Sequence, residues 1–382
     1  MNPILKYLKN VFAAKRILAD DTELTGLVKV DYLLQQLIIE DKVPGIAITV
    51  LKEGKSVFQK GYGNANIGEK QYIDPKKSIF RIASVSKPIA ATALAHMVQE
   101  GLIDLDESYY TYLPDYPKKE WDFTIRQLAS HTAGIRVYKG KEYGLNEPLS
   151  IKQGLKIFKD DPLVYKPGTE YLYNSFDWAM ISAAIQEASG IPFEEYVQEK
   201  VLNPLGMNST YCPQCYYQSD SQSSSKNSDA LGVNHISALK EQNRVTAFYT
   251  KSISGFRKAI PVDNFYKLAG GGYLSTSEDI AKFGQAFLDK KVKVKETILD
   301  QFLRAQQVAG NSTYYGLGWQ VSEDAKGRKF FGHVGNGVGG YANFFVYPKE
   351  QLVFSILVNC TDPKIQEELD AIIDCFFDEV DF

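Results

Sequence analysis

The stretch from Pro88 to Glu100 is apolar nearly all round, and it constrains what the rest of the chain can be. Ile89, Ala90, Ala91, Ala93, Leu94, Ala95, Met97 and Val98 cover most of the surface of a helix there, so it should be buried. Such a helix has to be packed from every side, and Gly101 is well placed to end it. A chain of 382 residues exceeds one small core, so the expectation is one large domain of two lobes, or two domains. At the head of this helix, where an extended segment enters it, stand Ser84 and Lys87. Three residues apart on a helix, their side chains share one face, one turn apart. A serine hydroxyl is a poor nucleophile at neutral pH, but a desolvated lysine beside it can act as its base. The unpaired N–H groups of a helix start would stabilise an oxyanion.

Taken alone, Ser-x-x-Lys is a weak signal. The chain repeats it at Ser223 to Lys226 and Ser237 to Lys240, in polar surroundings without an apolar run. The bland reading makes Ser84 a helix cap and Lys87 a first-turn surface lysine. The surrounding apolar helix argues against that reading of Lys87.

Composition excludes several classes. The content is 44% hydrophobic and 23% charged, ordinary for a soluble globular protein. Forty-three basic against 46 acidic side chains give a net charge of −3 with no long basic block, so nucleic-acid binding has no electrostatic support. No stretch approaches the roughly 18 apolar residues of a membrane span. Residues 1–27 read as an N-terminal tail or short surface helix. Their basic, lysine-interrupted start makes a poor secretory signal, so a cytoplasmic location is favoured, with a mitochondrial transit peptide as the alternative. Cys212-Pro-Gln-Cys215 is half a zinc pattern without its second half, and no metal or other cofactor is expected. Cys360 and Cys375 read as core thiols.

In chain order, Val28 to Glu40 is an amphipathic helix. Gly45 to Leu51 and Ser56 to Lys60 are strands joined at Lys52-Glu-Gly-Lys55. Helices follow at Phe123 to Ser130, Ile151 to Lys159, Ala179 to Ser189 and Phe193 to Val201, and a capped helix runs to Leu288 after the glycines 270–272. Ser219 to Asp229 reads as a flexible surface insertion. Strands return at Arg328 to Val334, Tyr341 to Tyr347 and Leu352 to Val358. The final helix carries a 3.6-residue stripe of Ile365, Leu369, Ile372, Ile373, Phe376 and Phe377. Strands at both ends around a helical middle predict an α+β fold. One antiparallel sheet is joined from both termini, with an α/β lobe over about 28–120 and 260–382 and a mainly helical lobe inserted over about 121–259.

Three motifs stand in order: Ser84-Val-Ser-Lys87, Tyr173-Asn-Ser175 and His333-Val-Gly335. With Leu128 to Ile135, Pro167 to Tyr173, Ala269 to Asp279 and Tyr315 to Trp319, the chain resembles the serine β-lactamase and penicillin-binding-protein superfamily. The resemblance is to its class C and esterase-like branch, and within it to the mitochondrial serine β-lactamase-like proteins and their bacterial relatives. It implies a β-lactamase/transpeptidase-like fold, with Ser84 as acylated nucleophile, Lys87 as its activating partner and Tyr173 as general base or proton relay. It also implies His333 in the place of the third-motif lysine, an oxyanion hole from the backbone N–H groups of Ser84 and Asn336, and substrate contacts at Ser175 and Gly335.

Two departures bear on the substrate. The second motif is commonly Tyr-x-Asn, with the asparagine holding the substrate amide and the lysine; here Ser175 stands third and Asn174 one residue earlier. His333, neutral near pH 7 when unperturbed, anchors a substrate carboxylate less well than lysine. Both changes favour an esterase or peptidase over a penicillinase. His131, in Ser-His-Thr-Ala-Gly, is read as part of a structural turn, His96 as a core histidine and His235 as a loop residue. The leading expectation is thus a metal-independent serine hydrolase acting through an acyl-enzyme on a small-molecule ester, amide or short peptide, with a homo-oligomer allowed. The alternatives are a β-lactamase or D,D-peptidase, and a binding or self-assembling scaffold that keeps the fold without catalysis.

Overall fold

The computed structural model of the protein describes residues 24–213 and 244–378. The expectations for residues 1–23, the Ser219 to Asp229 insertion, Cys215, His235 and the two spare Ser-x-x-Lys matches fall outside the described residues. The described chain forms two compact units, one from residues 24–40 with 364–378 and the other Asp41–Pro363.

The larger unit is built on one antiparallel sheet. Its strands in chain order are β1 (Gly45–Lys52), β2 (Lys55–Asn66), β3 (Gln71–Tyr72), β4 (Gln320–Glu323), β5 (Lys329–Gly337), β6 (Gly340–Tyr347) and β7 (Leu352–Val358). Their order across the sheet is β4-β5-β6-β7-β1-β2-β3. Glu53 and Gly54, at φ +50° and +76°, make the two-residue turn that returns β1 as β2, a geometry whose twist suits a hairpin. β1 then pairs with β7 in the register Ile46 opposite Val358 to Lys52 opposite Leu352, so the sheet is joined from both ends of the chain as expected. β6 and β7 are buried along their whole length. That suits their mainly apolar composition, interrupted only by the buried Asn343 and Ser355, since alternation is needed only where one face meets water.

Among the described residues the longer helices are α1 (Gly26–Ile39) and α5 (Gln366–Asp378) in the smaller unit, and α2 (Ser86–Gln99), α3 (Phe176–Ser189) and α4 (Ser277–Leu288) in the larger. In the smaller unit α1 and α5 pack on each other. In the larger unit α2 is buried at every residue from Ser86 to Met97, with α3 and the short helix Glu296–Phe302 among its neighbours. α4 starts at Thr276, whose side chain accepts the Asp279 N–H at 3.2 Å, and lies across β6, β7 and β1. Gly284 permits that approach: a Cβ there would sit 2.7 Å from Phe344 and Val353.

Three expectations are corrected. The stretch expected to be helical up to residue 259 also carries a hairpin, Tyr249–Ser252 with Gly255–Lys258, whose first strand pairs in parallel with Cys360–Thr361. Four residues are too few for a period-2 pattern to stand out, and the partner edge comes from far along the chain. α3 begins at Phe176, three residues before the expected Ala179; Ser175 stands at its N-cap, and Asn174 Oδ1, one residue earlier, accepts the first-turn Asp177 N–H at 2.9 Å. The helix expected over Phe193 to Val201 is α-helical only to Val197 and continues in wider turns over Gln198–Leu202.

Candidate active site

Ser84 sits in a 3-10 turn, Ala83–Val85, that runs straight into α2. Ala83 adopts φ +45°, a conformation L-residues seldom take, and this kink brings the turn against β5. Gly335 is the point of closest approach. A Cβ there would lie 2.3 Å from the Ile82 carbonyl oxygen and 3.2 Å from the Ser84 nitrogen, so only glycine lets the strand come so near. Asn336, the next residue on β5, is exposed.

The expected trio meets around one oxygen. Tyr173 donates its hydroxyl to Ser84 Oγ at 2.7 Å, and Lys87 Nζ lies 3.2 Å from the same oxygen. Lys87 is fully buried and has two further acceptors, the Gly270 carbonyl at 2.7 Å and Ser175 Oγ at 3.3 Å. Ser175 therefore reaches the lysine from the position where the resemblance expects asparagine, while Asn174 turns inward to brace the helix start. Burial lowers the Lys87 pKa to about 7, with Asp177 pulling it upward and Lys267 pushing it further down. Near neutrality much of it is a free amine. In that form it still donates to Gly270 and Ser175, and its lone pair faces the Ser84 hydroxyl.

Tyr173 leaves 36% of its side chain open to solvent. Its hydroxyl is enclosed, and burial raises its pKa above the usual phenol range, so it is the protonated phenol that faces Ser84. Lys87 also lies 4.7 Å from the centre of the Tyr173 ring, a further contact that ties the two together.

His333 is buried on β5 with both ring nitrogens engaged. Nδ1 is 2.7 Å from the Val334 carbonyl, which can only accept, so Nδ1 carries the proton. Nε2 is then the acceptor for the Tyr315 hydroxyl at 3.0 Å. Burial, and then the Lys87 charge, hold its pKa down to about 3. It is a neutral imidazole whose ring lies 5.9 Å from that of Tyr173.

Four residues outside the expected set join the site. Tyr315 holds His333. His131, read as structural, is fully buried beside Tyr173, with ring centres 4.7 Å apart, and pairs through Nδ1 with Asp177 at 2.8 Å. Lys267, nine-tenths buried, donates to the Tyr143 carbonyl at 3.1 Å and lies over the Tyr138 ring; burial lowers its pKa to about 8. Asp177 and Lys267 could have been noticed as lone charges in apolar phrases, Phe176-Asp-Trp-Ala-Met180 and Phe265-Tyr-Lys-Leu-Ala269. Cys212, Cys360 and Cys375 are buried. Among the described residues no helix is long and apolar enough to cross a membrane.

The family description Beta-lactamase matches residues 30–374. Among curated proteins, the chain is 26% identical to human "Serine beta-lactamase-like protein LACTB, mitochondrial" over 83% of its length and 71% of that protein's. It is also 26% identical to an Escherichia coli "Beta-lactamase", over 75% and 68%. Solved structures with the same fold include an octameric penicillin-binding protein homologue from Pyrococcus abyssi, with a TM-score of 0.73 at 22% identity covering 91% of this chain and 77% of that one. A D-amino acid amidase from Ochrobactrum anthropi matches with a TM-score of 0.74 at 17% identity, over 92% and 99%. The hydrolase EstCE1 matches at 0.72 and 18% identity, over 91% and 97%.

Proposed function

Since the chain belongs to the beta-lactamase family, we propose that it is a serine hydrolase working through an acyl-enzyme on an ester, an amide or a short peptide. The observation that carries this reading is the convergence of the Tyr173 hydroxyl and the Lys87 amine on Ser84 Oγ, at 2.7 and 3.2 Å. Neutral Lys87 takes the Ser84 proton as Oγ attacks the substrate carbonyl carbon. The carbonyl oxygen becomes an oxyanion held by the backbone N–H groups of Ser84 and Asn336, and one such donor contributes about 3–4 kcal/mol. Tyr173 donates its proton to the departing alcohol or amine and recovers one from the Lys87 ammonium. Water then attacks the acyl carbon, giving up its proton through Tyr173 to Lys87, and Lys87 returns a proton to Ser84 Oγ as the acyl–Ser84 bond breaks, which restores the free serine and the neutral amine. Ser175 orients Lys87, Gly335 keeps β5 close to the nucleophile, and His333 contributes a neutral wall rather than a cation.

A β-lactamase or D,D-peptidase is the second reading, favoured by one detail: the Ser175 hydroxyl still reaches Lys87 from the asparagine's position. The neutrality of His333 weighs against it, because a carboxylate-bearing β-lactam gains no charge there. Self-association is compatible with either reading, and one solved neighbour is described as octameric.

The test is labelling of the purified protein with a fluorophosphonate probe, wild type beside Ser84→Ala and Lys87→Ala. Labelling of the wild type that is lost in both variants is the expected result. A folded wild type that takes no label would turn the assignment toward a non-catalytic scaffold. A labelled penicillin on the same sample separates the two enzyme readings, since a Ser84 adduct would support the second.

A further inference from the structure

Three local costs fall on one pair of residues behind the proposed nucleophile. His131 holds φ +61°, in the left-handed region that few residues other than glycine occupy. His131 Nε2 and Asp177 Oδ1 are both buried and, among the described residues, have no hydrogen-bond partner. Both side chains are wholly shielded from water. A fold that needed only a filled core would place a leucine or methionine pair here, since unsatisfied buried polar atoms each cost about 1–3 kcal/mol. Costs of this kind that persist together call for a reason beyond packing.

The geometry supplies one. The turn at His131 is the dock for the segment that carries Tyr173: its carbonyl accepts the Leu172 N–H at 2.9 Å and the Tyr165 hydroxyl at 3.1 Å. Asn174, directly after Tyr173, donates to Asp177 Oδ2 at 2.7 Å, the oxygen that also pairs with His131 Nδ1 at 2.8 Å. The His131 ring meets the Tyr173 ring edge-on and also packs against that of Tyr315. Tyr173 is thus packed against the His131 ring, and the residue that follows it is tied to the Asp177 carboxyl group. The same carboxyl group is electrostatically coupled to Lys87, and each draws the other toward its charged form.

We propose that His131 and Asp177 act as a positioning pair for this reaction: the imidazole packs on Tyr173, and Asp177 Oδ2 holds both that imidazole and the Asn174 amide, so that together they fix Tyr173 against Ser84. The proposal rests on the serine-hydrolase reading and deepens it. Burial pushes Asp177 well above the usual carboxylate range, and the Lys87 ammonium and the Asn174 amide pull it back. The other groups facing Lys87 are Lys267, whose charge acts in the opposite sense, and the neutral His131, His333 and Tyr173. Asp177 is also faced by the phenols of Tyr116, Tyr165, Tyr171 and Tyr315, all raised above their ordinary range and so uncharged.

The experiment measures fluorophosphonate labelling rates from pH 5 to 9 for wild type, Asp177→Asn and His131→Gln, each checked for folding by circular dichroism. Asp177→Asn is expected to reduce the maximal labelling rate several-fold with the probe's half-saturation unchanged, because a neutral amide holds the His131 and Asn174 N–H groups less well than the carboxyl oxygen. His131→Gln keeps the carboxyl group but loses the ring. It is expected to reduce the maximal labelling rate about tenfold or more with the probe's half-saturation unchanged, the range of a lost proton-transfer geometry. A pair that served only as filler would not produce this split, and folded variants with wild-type labelling rates would overturn the proposal while leaving the serine-hydrolase reading intact. Should asparagine at 177 prevent folding, the His131→Gln measurement decides alone. A wild type that takes no label at Ser84 would remove both the hydrolase reading and the pair's role in it.

Discussion

Lys87 illustrates how a residue acquires chemistry from its surroundings. Its sequence neighbours announce burial, because a charged side chain at the head of a mostly apolar helix has nowhere wet to go. What burial does to its proton follows from desolvation, which lowers the pKa to about 7. A general base must be unprotonated to work, so reactivity toward an acylating probe should rise about tenfold per unit below pH 7 and level off above it. No second limb is expected near pH 6.5, the ordinary value for histidine, because His333 is held neutral down to about pH 3. A stopped-flow pH profile of acylation checks both statements, and a limb at 6.5 would return His333 to the proton-transfer chain. Ser175 was less legible than Lys87. The shift from asparagine to serine at the third motif position is visible in the sequence, but whether serine still reaches the lysine depended on a 3.3 Å distance set by two helices.

At the scale of elements, the site is a meeting of a turn, a strand and a helix start. The Ala83–Val85 turn, β5 and the segment before α3 each bring one wall, and none has a sequence neighbour among the others. The closest of these contacts is at Gly335. Gly335→Ala places a Cβ 2.3 Å from a backbone oxygen, which no side-chain adjustment can relieve, so β5 must move away from Ser84. Loss of about 1–3 kcal/mol in stability is expected, the usual range for overpacking, together with a fall in labelling larger than the lost stability explains. Thermal melts beside labelling rates measure the two separately. Helix and strand identities were largely legible, because α5 carries its 3.6-residue stripe and β1 its β-branched run. Their ends were less so: the start of α3 depends on the Asn174 side chain, and the Tyr249–Ser252 hairpin depends on an edge at Cys360–Thr361.

For the molecule as a whole, the decisive pairing is β1 with β7, which joins opposite ends of the chain in one sheet. Contacts of such long range must pay loop-closure entropy before they contribute, so folding of the larger unit should be slow and should wait for the C-terminal strands. A fragment of residues 1–339 keeps the Ser84 turn, α2, Tyr173 and β5 but lacks β6 and β7. It is expected to lack cooperative unfolding by circular dichroism and to take no fluorophosphonate label. A folded, reactive fragment would show that the helical region stands without the central strands.

The sequence by itself determined which side chains could do chemistry and which segments had to be buried. Those properties are local: the apolar helix, the spacing of Ser84 and Lys87, the glycine of the third motif and the apolar runs of the strands are each written within a dozen residues. Only the tertiary structure decided that Tyr173 and Lys87 meet at one oxygen, that His333 is spent on Tyr315 and Val334, and that His131 and Asp177 stand behind them. These are distances between segments far apart in the chain. They are set by how the strands pair and the helices pack, and hydrogen bonding and desolvation change over a few tenths of an ångström that no spacing in the sequence records.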